Sequence, residues 1–201
     1  MEITTIVFDF GGVLIDWNPR HLFRKVFSDA QEMETFLAAV CTDDWNVQQD
    51  KGRTLKDGTA WLVERFPAKK EWIEQYYGRW TEMLNGTFEG SLEILSRLRG
   101  YYRLYGLTNW SAETYPVAYD RFDFLKWFDG IVVSGHEGVI KPDPAIFELL
   151  KTRYDVVPGQ SVFIDDNIRN VEAAKALGFH SIHFQSPTQL ARELEALGVQ
   201  Y

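Results

Sequence analysis

The chain has 201 residues, 45% of them hydrophobic and 25% charged, with a formal net charge of −8, the composition of an ordinary globular protein long enough to bury a substantial core. That acidic balance disfavours a sequence-independent grip on nucleic acid or on an anionic membrane, both of which need clustered Lys and Arg, and it leaves room for one basic pocket holding a phosphate. The single cysteine, Cys41, excludes an intrachain disulfide; the first apolar run, broken at Asp9, supports neither a signal peptide nor a spanning helix, so a soluble, cytoplasmic protein is expected.

Ile3 to Phe8 is short and rich in β-branched and aromatic residues, and reads as a strand buried on both faces. Asp9 emerges at its carboxyl end, followed by Gly11-Gly12, whose backbone amides an anion can approach closely. Asp16-Trp17-Asn18-Pro19 then interrupts the pattern, with Pro19 placed to open a helix. From there to about Leu84 the apolar spacing is helical: Met33, Phe36, Leu37, Val40 and Cys41, then Leu55, Leu62, Val63 and Phe66, then Ile73, Tyr76 or Tyr77, Trp80 and Leu84. No strand is expected here. Five of the seven tryptophans fall in this stretch, which reads as a small helical unit with an aromatic core; Trp17 and Trp45, at element edges, are the ones to watch for a ligand.

After Asn85-Gly86-Thr87, helix and strand alternate to the end. Helices are expected over Glu89 to Arg99, Ala112 to Phe122 and Pro144 to Tyr154, then along Val171, Ala174 and Leu177 up to Gly178, and finally along Leu190, Leu194 and Leu197. Strands are expected at Arg103 to Leu107, Ile131 to Val133, Ser161 to Ile164 and Ser181 to Phe184. The alternation predicts an α/β fold, a Rossmann-like parallel sheet with helices on both faces and right-handed crossovers. Residues 1–15 and 86–201 would form this core domain and residues 16–85 an inserted helical cap. If the strands are parallel, Asp9, Thr108-Asn109, Ser134, Asp165-Asp166 and the Lys141 beyond them share one sheet edge. Two adjacent carboxylates without a cation repel one another, so Asp165-Asp166 is hard to explain structurally.

Asp9-Phe10-Gly11-Gly12-Val13, Leu107-Thr108-Asn109, Lys141-Pro142-Asp143-Pro144 and Phe163-Ile164-Asp165-Asp166-Asn167, in that order, resemble the four motifs of the haloacid dehalogenase-like superfamily of hydrolases. The resemblance covers essentially the whole chain and matches the helical insert to the family's cap, hanging over the crevice as a lid. It implies that Asp9 attacks phosphorus and forms an aspartyl-phosphate, later hydrolysed by water. It implies Mg²⁺ held by the Asp9 carboxylate, the Gly11 carbonyl and the acidic pair, with Asp166 the direct ligand and Asp165 beside or behind it. Thr108, the Asn109 amide and Lys141 would hold the phosphoryl oxygens, with Gly11 and Gly12 lining the anion's approach. The partner would be a small phosphorylated metabolite, with sugar phosphates among the candidates; Trp17, Trp45, Gln49 and Arg53 would read it. Oligomeric state stays open.

Gly11 departs from the commonest family pattern. Most phosphatases of the family carry there a second Asp, which protonates the leaving group and later activates water; positioned acid-base catalysis is worth about 10²–10⁴ in rate. Some members, including ones resembling an α-glucose-1-phosphate phosphatase, also show glycine. Its presence implies slow turnover, a leaving group needing little help, or a group donated from the cap, with His136 a further candidate. Two rivals remain: a metal-free dehalogenase, which the retained acidic pair argues against, and a binding protein of the same fold with weak or no catalysis.

Overall fold

The computed structural model describes residues 2–200. Its strands are β1 (Thr5–Phe8), β2 (Ile15–Trp17), β3 (Leu84–Thr87), β4 (Arg103–Thr108), β5 (Gly130–Val133), β6 (Ser161–Asp165) and β7 (His180–His183). Five of them form one sheet in the order β5-β4-β1-β6-β7, every neighbouring pair parallel. Alternation along the strands explains why helices cover both faces. Ile6, Phe8, Leu104, Val162 and Ile164 join one apolar cluster, whereas Val7, Tyr105, Leu107, Val132 and Phe163 join the other. Each such fully buried side chain contributes about 1.5–3 kcal/mol.

Helices α1 (Pro19–Phe23), α2 (Ala30–Ala39), α3 (Asp43–Asp50), α4 (Leu55–Arg65) and α5 (Lys70–Gly78) lie between β2 and β3. The core helices are α6 (Glu89–Leu98), α7 (Tyr115–Arg121), α8 (Ser134–Glu137), α9 (Pro144–Tyr154), α10 (Ile168–Ala176) and α11 (Pro187–Ala196). Their apolar faces follow the expected spacing: α6 and α11 contribute Ile94, Leu95, Leu98, Leu190 and Leu194 to the first cluster, and α9 and α10 bring Ile146, Phe147, Leu150 and Ala174 to the second. Short polar side chains start several helices by accepting a backbone N–H, as Asn18, Asp29, Thr42, Thr54, Asp143, Asn167 and Ser186 do.

In the helical insert Phe23, Phe27, Phe36, Trp72 and Tyr76 pack ring against ring, with centroids 4.6–6.1 Å apart among the touching pairs. Only helical elements lie between Pro19 and Met83, as expected, but two strands that the sequence did not suggest flank this stretch. β2 and β3 pair antiparallel, Ile15 opposite Thr87 and Trp17 opposite Leu84. Asp16 breaks the apolar pattern of one and Asn85-Gly86 makes the other read as a turn, so only the long-range pairing reveals them. α7 starts at Tyr115, later than expected, with Pro116 in its first turn. No helix among the described residues is long and apolar enough to cross a membrane.

Candidate active site

The strands deliver their chemistry at one edge because each polar side chain stands at or just past a carboxyl end. Asp9 follows β1, its neighbours Phe8 and Ile164 fixing the register, and its backbone N–H is held by Ile164 O at 2.8 Å. Thr108 closes β4 and is 1% exposed; Asp165 closes β6 and is fully buried. Lys141, on the segment before α9, reaches back beneath them. Its ammonium donates to Leu107 O at 2.6 Å and to Asp165 Oδ2 at 2.7 Å, and stands 3.0 Å from Asp9 Oδ1. The Lys141–Pro142 peptide is cis. The Asn109 side chain braces this segment, donating to Lys141 O at 3.0 Å and accepting from Lys141 N at 2.8 Å.

Asp165 is tied on all sides: besides Lys141 it accepts from Asn167 N at 2.8 Å and from Asn170 Nδ2 at 3.1 Å. Asp166 is exposed to the crevice and has no ion-pair partner among the described residues. One oxygen from each of Asp9, Asp165 and Asp166 lies within 4.8 Å of the others. Burial pushes the Asp9 carboxyl up to about 7; Lys141 opposes the shift, while Asp165 and Asp166 add to it. Burial and the Asp165 charge likewise raise Asp166. On Lys141 burial works downward, but the Asp165 and Asp9 carboxylates outweigh it and hold the ammonium charged. One lysine among three carboxylates leaves a net negative, oxygen-only donor set, which suits a small hard cation such as Mg²⁺.

Two glycines shape the floor. Gly12 has φ +74°, and a Cβ on it would collide with the Asp166 carboxyl; only glycine lets that carboxylate lie against the turn. Gly11 has no such constraint: a Cβ there meets nothing within 4 Å.

Above this floor is a cavity of about 280 Å³, lined from the core by Asp9, Gly11, Gly12, Asn109, Trp110, Ser111, Thr114 and Asp166 and, from the insert side, by Trp17, Asn46, Asp50, Tyr77 and Trp80. Trp17, one of the residues expected to read the substrate, is among the lining residues. Trp45, Gln49 and Arg53 are not among the lining residues. Trp45 is 4% exposed, its Nε1 donating to Gly58 O at 3.0 Å and its ring edge-on to Tyr76. Gln49 is fully buried and donates to Trp45 O and to Tyr77 Oη. Arg53 is spent on Gln49 Oε1, at 2.6 Å, and Trp45 O. The three are the insert's internal framework: Trp45 and Gln49 lie one turn apart on the buried side of α3, and Arg53, past the end of that helix, reaches back to both. Asn46 and Asp50, one turn apart on another side of α3, are the residues that sequence reading passed over; a polar i,i+4 pair on a helix beside an aromatic core was their only signal. Trp80, Trp110, Ser111 and Thr114 were likewise not anticipated. His136 is exposed, edge-on to Tyr115, and does not line the cavity.

The family model of the haloacid dehalogenase-like hydrolases matches residues 3–178. Among curated relatives, drimenol cyclase drtB of Aspergillus calidoustus is 26% identical over 96% of this chain, which spans only 36% of that protein's length. Sesquiterpene phosphatase astK of Aspergillus oryzae is 26% identical, covering 95% of this chain and 94% of its own. D-ribitol-5-phosphate phosphatase of Bacteroides thetaiotaomicron is 22% identical, covering 97% and 98%. A solved structure of a family enzyme from Bacteroides thetaiotaomicron, in complex with magnesium and inorganic phosphate, superposes with a TM-score of 0.69 at 22% identity over 92% of this chain and 95% of that one; at that identity the likeness speaks for the fold.

Proposed function

This chain belongs to the haloacid dehalogenase-like hydrolase family, and from that premise we propose that it is a Mg²⁺-dependent phosphomonoesterase acting on a small phosphorylated metabolite. The observation that carries the reading is the Asp9–Lys141–Asp165 cluster, with Asp166 beside it, under a cavity that Asp9 and Asp166 line. A metal-free carbon displacement has no use for three carboxylates within 4.8 Å, whereas phosphoryl transfer needs a cation opposite the phosphoryl oxygens.

In this reading Asp9 attacks phosphorus as the ester bond to the leaving group breaks, and water later displaces the Asp9 carboxylate from the phosphoryl group. Mg²⁺ would be held by Asp9, Asp166 and the Gly11 carbonyl, with Asp165 behind, and when bound supplies charge and orientation for the phosphoryl oxygens. Lys141, fixed by its three acceptors, favours the ionised form of Asp9 against the effect of burial and supplies a second positive charge. The Asn109 side chain, engaged on the Lys141 backbone, aims that lysine; Thr108 and the Gly11-Gly12 backbone receive the phosphoryl group. The helical insert, residues 16–85, serves as the cap that excludes water. Trp17, Tyr77, Trp80 and Trp110 offer aromatic faces, and Asn46, Ser111 and Thr114 offer hydrogen-bonding groups between them. That mixture favours a hydroxylated leaving group such as a sugar or polyol over a wholly apolar one.

A screen of phosphorylated metabolites with and without Mg²⁺ tests this. The expected result is phosphate release that a chelator abolishes and that Asp9→Asn eliminates. Halide release from 2-haloacids in the presence of chelator, with no phosphatase activity, would overturn it.

A further inference from the structure

A family hydrolase with glycine at position 11 lacks the side chain that most phosphatases of the family use to protonate the leaving group. The geometry points to Asp50 as the general acid and base of this enzyme, supplied from the insert across the cavity from Asp9. This inference rests on the phosphatase reading and deepens it.

Asp50 ends α3 and lines the same 280 Å³ cavity as Asp9, Gly11 and Asp166. Among the described residues it is the one carboxylate that the insert contributes to that lining. Its backbone is anchored to the core: Asp50 O accepts from Ser134 Oγ at 2.5 Å, and Ser134 Oγ in turn accepts from Trp110 N at 2.9 Å. Those two residues stand just beyond the ends of β5 and β4, so the strand tips that build the floor also fix where Asp50 stands. A second tie, from Leu55 N to Glu113 Oε1 at 2.7 Å, holds the following segment of the insert to the core.

A structural role does not account for this carboxylate. It sits in the last turn of a helix, where the dipole disfavours negative charge. No Lys or Arg among the described residues pairs with it, and its one side-chain donor is Asn46 Nδ2 at 3.2 Å. The titratable groups near it on α5 are Tyr76 and Tyr77, both held neutral by burial; across the cavity are Asp9 and Asp166. Burial therefore holds the Asp50 carboxyl up at about 7, with the Ser111 backbone amide in partial opposition. A carboxyl that keeps its proton near neutrality is what leaving-group protonation needs.

The steps balance. As the Asp9 oxygen bonds to phosphorus and the ester P–O bond breaks, the Asp50 carboxylic acid gives its proton to the departing oxygen, which leaves as the alcohol. The Asp50 carboxylate then takes a proton from water while the water oxygen bonds to phosphorus and the Asp9–phosphorus bond breaks. Phosphate leaves, and both carboxyl groups return to their starting states.

The test measures kcat/KM with Mg²⁺ for aryl phosphates of near-constant size and rising leaving-group basicity, from p-nitrophenyl to p-methylphenyl, in the wild type, Asp50→Asn and Gly11→Asp/Asp50→Asn. The wild type should depend weakly on leaving group. Asp50→Asn should lose on the order of 10²-fold on p-methylphenyl phosphate and only about threefold on p-nitrophenyl phosphate. The double variant should recover much of the loss, because the open space at Gly11 accepts a carboxylate from the core side. A uniform loss across the series without recovery in the double variant, or no loss, overturns the assignment of Asp50 while leaving the phosphatase reading intact. A wild type inert on every aryl phosphate and every metabolite of the screen overturns that reading and this inference with it.

Discussion

Lys141→Met keeps the unbranched stem and strips the charge from a side chain that is 1% exposed and set between carboxylates 0% and 13% exposed. Its three ammonium contacts, 2.6 Å to Leu107 O, 2.7 Å to Asp165 and 3.0 Å to Asp9, are lost together. Solvent cannot replace a counter-charge at that depth, and removing one partner of a buried ion pair costs about 3–5 kcal/mol. For a protein of this size, at about 2–4 °C per kcal/mol, the unfolding midpoint should drop by roughly 6–20 °C. Removing a fixed charge from the phosphoryl site should also lower kcat by on the order of 10²–10³. Calorimetric melting in chelator and in excess Mg²⁺ checks the stability term, and the metal should return part of the loss by supplying positive charge to the same carboxylates. A midpoint within about 2 °C of wild type in chelator would refute the claim that Lys141 is the charge on which this edge of the sheet depends.

Gly12→Ala should weaken Mg²⁺ binding by tenfold or more, about 1.4 kcal/mol, because a Cβ at φ +74° displaces the Asp166 carboxyl; titration calorimetry reads it, and unchanged affinity would remove Asp166 from the ligand set. Asp50→Asn should stabilise the fold while harming catalysis. The folded carboxyl titrates near 7 against an ordinary value of 3.8, so the wild type's stability from this group is complete below about 3.8 and is lost progressively as pH rises to about 7. The variant has no such loss. Its unfolding free energy should match wild type at pH 4 and exceed it at pH 8, by at most about 4 kcal/mol and less where the cavity mouth admits solvent; denaturant melts at the two pH values read it. A variant less stable than wild type at pH 8 would mean that the carboxylate is a structural ligand of Asn46 and Ser111.

The core and its edge were legible because both rest on local signals. Each central strand is an apolar run ended by a polar residue, so Asp9, Thr108 and Asp165 needed only parallel pairing to share one edge, and Lys141 reaches that edge from the segment before α9. The upper wall was not. Asn46 and Asp50 read as one solvated face of a helix, and their neighbour Trp45, about 100° away around α3, drew attention as a large ring and proved to be packed inside. Which side of α3 faces the cavity follows from how the insert docks, and docking depends on contacts such as Ser134 to Asp50, 84 residues apart, that no spacing rule detects. β2 and β3 were hidden for the same reason.

The paired β2 and β3, with Asn18 N bonded to Met83 O at 2.9 Å, bring the two ends of the helical insert to one point. Chain leaves the core and re-enters it through a single doorway, so the length and content of what lies beyond make no demand on the register of the five-stranded sheet. Closing a loop depends only weakly on its length. The part of the molecule that handles phosphate and the part that handles the rest of the substrate can therefore change at independent rates: an exchange of everything between Asn18 and Met83 would leave the strand tips where they are. Only Asp50, which stands on the far side of that doorway, would have to be found again.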